Sequence, residues 1–234
     1  MSETAPILLW FRRDLRLGDH PALHAACESG RPVIPVFLRD GVVDGLGAAP
    51  KFRLGLGLER FAAALEAAGS RLVLRSGRAL DALRALLADT GAGAVWWTRA
   101  YDPESVARDT EVKAALKEAG VEARSFGGHL MFEPWTVETG QGGFYKVYTP
   151  FWRAVASRDV DAPRAAPGRI PAPEAWPESE RLGDWAPGRA MNRGAEIVAR
   201  HARVGEAAAR DRLDHFMERI VAGYDEGREL PAED

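Results

Sequence analysis

Short apolar runs alternate with helix-patterned segments along the first 126 residues, and this rhythm constrains the fold more than any other feature. The runs are Ile7 to Phe11, Val33 to Leu38, Leu72 to Leu74, Val95 to Trp97 and a weaker one around Val121 to Phe126. They are apolar throughout rather than alternating, as strands buried on both faces are. Between the second and third, Leu54, Leu58, Phe61 and Leu65 recur at helical spacing; between the third and fourth, Leu80, Leu83 and Leu87 do the same. The stretch Pro103 to Ala119 opens with an acidic first turn and is followed by Gly120, as a capped helix would be. Strand alternating with helix requires right-handed crossovers, so the expected fold is α/β: a doubly wound parallel sheet of five strands in the order 3-2-1-4-5. Pro35 lies inside the second run. It cannot donate a ladder hydrogen bond, which favours an edge or bulge position.

Beyond Glu133 the pattern changes. Six prolines fall between residues 161 and 189 (Pro163, Pro167, Pro171, Pro173, Pro177 and Pro187) with little periodicity. A connection of that length is expected to cross the surface between two domains. Periodicity returns at Gly205 to Tyr224, where Leu213, Phe216, Met217, Ile220 and Tyr224 mark one helical face. The expected division is an α/β domain over residues 1–133, a linker over 134–204, and over 205–234 the first helix of a further domain. That helix finds no partner in the remaining sequence, so we expect a truncated chain whose last helix docks on the α/β domain, self-associates or frays.

Composition narrows the function classes. With 46% hydrophobic residues the chain can fill an ordinary core. Its formal net charge of -3 argues against nucleic-acid binding through bulk electrostatics alone. A single cysteine, Cys27, excludes an internal disulfide and fits a reducing compartment. Neither a signal peptide nor a membrane span is legible, so a cytoplasmic protein is expected. The five histidines show no metal-ligand spacing with Cys27, and no GxGxxG, Walker loop or nucleophile elbow occurs. No metal site and no catalytic acid, base or nucleophile is therefore assigned.

Three segments carry a resemblance. The opening Leu9-Trp10-Phe11-Arg12-Arg13-Asp14-Leu15-Arg16-Leu17-Gly18-Asp19-His20-Pro21-Ala22-Leu23 resembles the first strand and loop of the DNA photolyase/cryptochrome family. Tyr145-Lys146-Val147-Tyr148-Thr149-Pro150-Phe151-Trp152 is similar to that family's YxVFTPFW segment. Gly205-Glu206-Ala207-Ala208, followed by Tyr224, Arg228 and Pro231, looks like the start of its flavin-binding domain. The resemblance implies a Rossmann-like α/β domain that holds an antenna chromophore. It also implies FAD in the full-length protein, damaged DNA as its partner, and light-driven repair of pyrimidine dimers. Blue-light signalling of the cryptochrome type and a stand-alone chromophore- or nucleotide-binding module stay open as alternatives. The family's flavin-phosphate motif (TSRLS) is absent, so this chain alone is expected to be inactive.

Doubly wound folds bind ligands beyond the carboxyl ends of their strands. The candidate antenna-binding residues there are Arg12 and Arg13, Phe37 and Asp40, and Tyr101, Asp102 and Glu104. A structural alternative is that Arg12, Arg13 and Arg16 pair with Asp14 and Asp19. Family members with a folate antenna carry an Asn-Glu pair where Glu104 and Ser105 stand here, so folate, deazaflavin, FMN and an empty pocket all remain open. By the resemblance, Tyr224 matches a flavin contact and Arg228 a contact to DNA phosphate. Most of the seven tryptophans are read as core or interdomain packing rather than the family's electron relay.

Overall fold

The computed structural model describes residues 4–229; Pro231 lies outside them. Five strands form one parallel sheet in the order β3-β2-β1-β4-β5. They are β1 (Ile7–Phe11), β2 (Val33–Arg39), β3 (Val73–Ser76), β4 (Ala94–Thr98) and β5 (Glu122–Phe126). Connecting them are α1 (Pro21–Glu28), α2 (Gly41–Asp44), α3 (Ala48–Ala67), α4 (Ala79–Thr90) and α5 (Pro103–Glu118). Downstream come α6 (Tyr148–Val155), α7 (Leu182–Trp185), α8 (Arg193–Ala199), α9 (Glu206–His215) and α10 (Tyr224–Gly227). No helix of the described residues is long and apolar enough to cross a membrane.

The uninterrupted apolar character of β1 has a direct cause. Successive side chains of a strand point to opposite faces, and here each face meets helices. Ile7, Leu9 and Phe11 join Leu23 of α1 and Leu58, Phe61 and Leu65 of α3. Leu8 and Trp10 join Leu83 and Leu86 of α4 and Val112 and Leu116 of α5. Every residue of β1 is at most 1% exposed.

Pro35 occupies an interior strand. Its partner in β1 is Leu9, but the β3 ladder begins only at Val36 opposite Val73. At Pro35, therefore, β2 has one strand neighbour, and the edge position expected for a proline exists locally within a central strand.

The proline-rich stretch is more tightly held than a surface connection needs to be. Ile170 is fully buried in the α1–α3 side of the core. The Val33 N–H donates to Pro171 O at 2.7 Å and the Ile170 N–H to Ala68 O at 3.0 Å. Along edge strand β3, the Glu180 N–H donates to Leu74 O at 2.9 Å while Leu74 N–H donates to Ser179 Oγ at 2.9 Å. The stretch thus covers backbone groups that an open edge would offer to another chain. Gly55 of α3 permits the closest approach: a Cβ there would collide with the Pro187 ring.

The terminal segment departs from the expected single helix. After α9 the chain passes through a π-turn (Phe216–Ile220) and a 3-10 turn (Val221–Gly223) before α10. Leu213, Met217, Val221 and Tyr224 are all substantially exposed. Helices this short draw their regularity from tertiary packing, which this face lacks, and Gly223 adds a residue of low helix propensity.

Candidate functional site

A crevice of about 590 Å³ opens at the carboxyl ends of β1, β2 and β4. Its floor is Trp10, and its walls include Phe37, Leu38, Val42, Val43, Leu46 and Leu54. Two guanidinium groups lie over the ring of Trp10, with the Arg12 and Arg108 carbons each 4.7 Å from its centroid. The Trp10 Nε1 is buried and has no hydrogen-bond partner among the described residues.

A closed charge network fixes this floor. The Arg12 Nη1 donates to both Asp109 carboxylate oxygens at 2.7 Å, and its Nη2 donates to the Thr98 carbonyl. Arg108 donates to Asp109 Oδ1 at 3.0 Å and to Asp40 Oδ2 at 2.8 Å. The other Asp40 oxygen caps α2, accepting from the N–H groups of Val42 and Val43 at 3.1 and 3.2 Å. Two cations and two carboxylates satisfy one another while largely buried, which rigidifies the strand ends.

The remaining cations are differently disposed. Arg16 donates to the carbonyls of Asp19 and Gly128 at 2.9 and 2.7 Å. Arg13 has only a distant carboxylate, Asp102 at 3.9 Å, and its side chain is 68% exposed. Arg53 of α3 makes no hydrogen bond or ion pair with the described residues. Positive charge at the mouth is thus uncommitted. Burial lowers the pKa of His129 at the rim, with Arg16 and Arg12 adding to the effect against an opposing pull from Asp14. The imidazole stays neutral at neutral pH.

Of the residues singled out from sequence, the crevice gathers Arg12, Arg13, Phe37 and Asp40. It does not gather Tyr101, Asp102 or Glu104. Tyr101 turns away because its hydroxyl donates to Glu133 Oε2 at 2.7 Å, an oxygen pair shared with Arg99. Asp102 is spent as the N-cap of α5, accepting from Ser105 N–H at 3.0 Å. Glu104 sits in the exposed first turn of that helix. Ser105 and Arg108 are the α5 residues that reach the crevice instead. The pairing of Arg12, Arg13 and Arg16 with the Asp14 and Asp19 carboxylates does not form through their side chains. Arg12 uses its backbone N–H on Asp14, at 2.8 Å.

Sequence reasoning missed two contributors. Arg53, Leu54 and Gly57 share one side of α3, but only the tertiary placement of that helix turns them inward. Gly205, Glu206 and Ala209 close the crevice from the start of α9. Glu206 is what holds α9 there: its carboxylate accepts from the N–H groups of Leu17 (2.7 Å) and Gly18 (3.0 Å) and from Arg210 at 2.6 Å. Burial pushes the Glu206 pKa up, but these donors outweigh it and the net shift is downward. A Cβ at Gly18 would meet the Glu206 carboxylate and the Arg210 guanidinium, so those side-chain ends would have to shift. Tyr224 and Arg228 lie far along the exposed terminal segment, where the Tyr224 ring packs edge-on against Phe216 at 5.5 Å.

The DNA photolyase family model matches residues 7–172. A deoxyribodipyrimidine photo-lyase of Agrobacterium fabrum is 44% identical over 98% of this chain and 48% of its own length. One from Synechococcus is 33% identical over 98% of this chain and 49% of its own. Among solved structures, a bacterial class III photolyase from Agrobacterium tumefaciens superimposes with a TM-score of 0.93 at 44% identity, covering 98% of this chain and 48% of that one. The chain spans about half the length of the curated relatives it matches.

Proposed function

The chain belongs to the DNA photolyase family, and from that premise we propose that it is the antenna-holding α/β part of a deoxyribodipyrimidine photo-lyase. In this reading the whole protein repairs pyrimidine dimers in damaged DNA with light, works in the cytoplasm and carries FAD. Residues 1–133 form the α/β domain, 134–204 connect, and 205–234 begin the flavin-binding helical domain.

One observation carries the assignment: the crevice joins an aromatic floor and apolar walls to uncommitted cations at its mouth. An antenna chromophore, when bound, absorbs light and passes the excitation on, so the site has to hold and orient rather than react. The residues present fit such a group. The Trp10 Nε1–H lacks a partner among the described residues, two arginines lie over its ring, and Arg13 and Arg53 line the crevice where an anionic substituent could meet them. Folate and FMN combine a flat ring system with such a substituent, and a deazaflavin offers the flat ring with a hydroxylated chain. The flavin is a different case. Tyr224 is 46% exposed and Arg228 lies one turn further on, so these two side chains enclose nothing. The chain alone is therefore expected neither to bind FAD tightly nor to repair dimers.

Titrating the purified chain separately with a methenyl folate, a deazaflavin and FMN, followed by absorption and fluorescence, tests the reading. We expect one of the three to bind at one per chain, and Arg53→Gln to weaken it about tenfold. Failure of all three to bind would overturn the assignment.

A further inference from the structure

A second hollow, of about 460 Å³, lies on the other side of Val43 and Leu54, which line both spaces. It falls between α3 and the segment containing α7 and the 3-10 turn Arg189–Met191. Its inner surface is apolar and aromatic: Leu54, Leu58, Leu182, Pro187, Ala190 and Trp185. The Trp185 ring is held in place, because its Nε1–H donates to Glu180 Oε2 at 2.7 Å.

The rim is cationic. Arg39, Lys51 and Arg189 line it against a single carboxylate, Asp44. That carboxylate is already engaged by Arg39 Nε at 2.8 Å, and Lys51 Nζ donates to the Asp44 backbone carbonyl at 2.7 Å. The Arg189 guanidinium has no hydrogen bond or ion pair with the described residues. Three cations to one anion is a local excess in a chain whose formal net charge is -3.

Backbone strain marks the same place. Three non-glycine residues have positive φ among the described residues: Asp19, Ala186 and Asn192. Two of them line this hollow. Ala186 sits at φ 45°, ψ 53° and Asn192 at φ 49°, ψ -135°, the latter a region populated almost solely by glycine. Such conformations cost free energy and cluster where a backbone is shaped around a ligand.

We propose that this hollow is a second, separate ligand site, and that it takes a planar heteroaromatic ring bearing a phosphate, of which a mononucleotide is the simplest example. The ring lies among Leu54, Leu58 and Trp185, and the phosphate meets Arg189 and Lys51. The volume falls within the range of small-molecule sites, and the mixture of apolar lining with a few polar anchors is their usual composition. Guanidinium and ammonium groups are the side chains best suited to phosphate.

The test uses adenosine 5′-monophosphate as probe and adenosine as its uncharged counterpart, with binding read by tryptophan fluorescence and ligand-observed NMR. We expect saturable binding of the phosphate form and about tenfold weaker binding of adenosine. Arg189→Gln and Lys51→Gln should each bring the monophosphate close to the adenosine affinity. Ala190→Phe, which fills the hollow, should abolish binding of both, with an unshifted thermal transition certifying the fold. Arg53→Gln belongs to the neighbouring crevice and should change nothing here. Equal affinity for the two probes would overturn the proposal. So would monophosphate binding that survives Arg189→Gln, or binding lost on Arg53→Gln alone. The antenna reading stands or falls on other ligands and on Arg53, so the two can fail independently.

Discussion

The Asp14 carboxylate lies 2.8 Å from His20 Nε2, and both side chains are only 1% exposed. The His20 Nδ1 accepts from the Leu23 N–H at 3.1 Å, which assigns the ring hydrogen to Nε2 and makes it a donor to Asp14. One histidine thereby caps α1 and donates to a buried acceptor in the loop that shapes the crevice. Burial works against the charged carboxylate, but His20 and the Arg12 N–H outweigh it and hold its pKa far below the usual 3.8. A depressed carboxylate stabilises the fold above its unfolded pKa and loses that contribution as pH falls toward its folded one. Stability should therefore decline on acidification below about pH 4. Asp14→Asn should flatten that acid limb and lower stability at neutral pH by about 2–4 kcal/mol, as chemical denaturation at a series of pH values would measure.

The bond from the Glu206 carboxylate to the Leu17 and Gly18 amides makes the start of α9 a wall of the crevice. Glu206→Ala removes an acceptor from two N–H groups, at a cost of about 1–3 kcal/mol to the docking of that segment. Hydrogen exchange should accelerate over residues 206–215 and at Leu17 and Gly18. Exchange in β1 and β4 should stay slow, because the sheet does not depend on this contact.

The sheet and its order were legible in the sequence because strands buried on both faces leave unbroken apolar runs, and β1 and β4 are such strands. The ends of those strands were half legible. Arg12, Arg13, Phe37 and Asp40 follow directly from where a strand stops, so topology alone brings them together. Tyr101 does not, because Glu133, 32 residues later, captures its hydroxyl, and no local pattern encodes that contact. Arg53 and Glu206 enter the crevice from helices whose orientation depends on packing elsewhere. The proline-rich stretch reads from sequence as a connection crossing the surface between domains, because prolines break periodicity. Its docking rests on backbone hydrogen bonds to Ala68, Leu74 and Val33, and these leave no compositional trace.

Gly55 reports on how firmly that strap is seated. A methyl group at this position runs into the Pro187 ring across the α3 surface. In an isolated helix Gly→Ala would be favourable by about 1 kcal/mol. In the folded protein overpacking should reverse the sign, giving a net destabilisation of about 1–3 kcal/mol. Thermal unfolding of Gly55→Ala measures it. A stabilised variant would mean that Pro187 is free to move off α3.

The terminal segment carries the clearest solubility liability. Leu213 and Met217 are each 57% exposed, and Val221 and Tyr224 extend the same apolar strip at 42% and 46%. Full burial of side chains of the larger kind is worth about 1.5–3 kcal/mol each, so a second copy of the chain gains by covering them. We expect concentration-dependent self-association of the 234-residue chain, visible by sedimentation. Leu213→Glu with Met217→Glu should suppress it by introducing like charges into the contact. Neither residue belongs to the buried core, so the main thermal transition should move by no more than a degree or two. The crevice supplies an internal control. Glu206 lies a turn or more upstream of both substitutions, and its bond to Leu17 should survive with unchanged exchange protection. If the double variant instead melts many degrees lower, the strip is packed against the α/β core in solution. Self-association would then require another surface, of which the exposed aromatic ridge Phe144, Tyr148 and Trp152 is the next to test by the same charge substitutions.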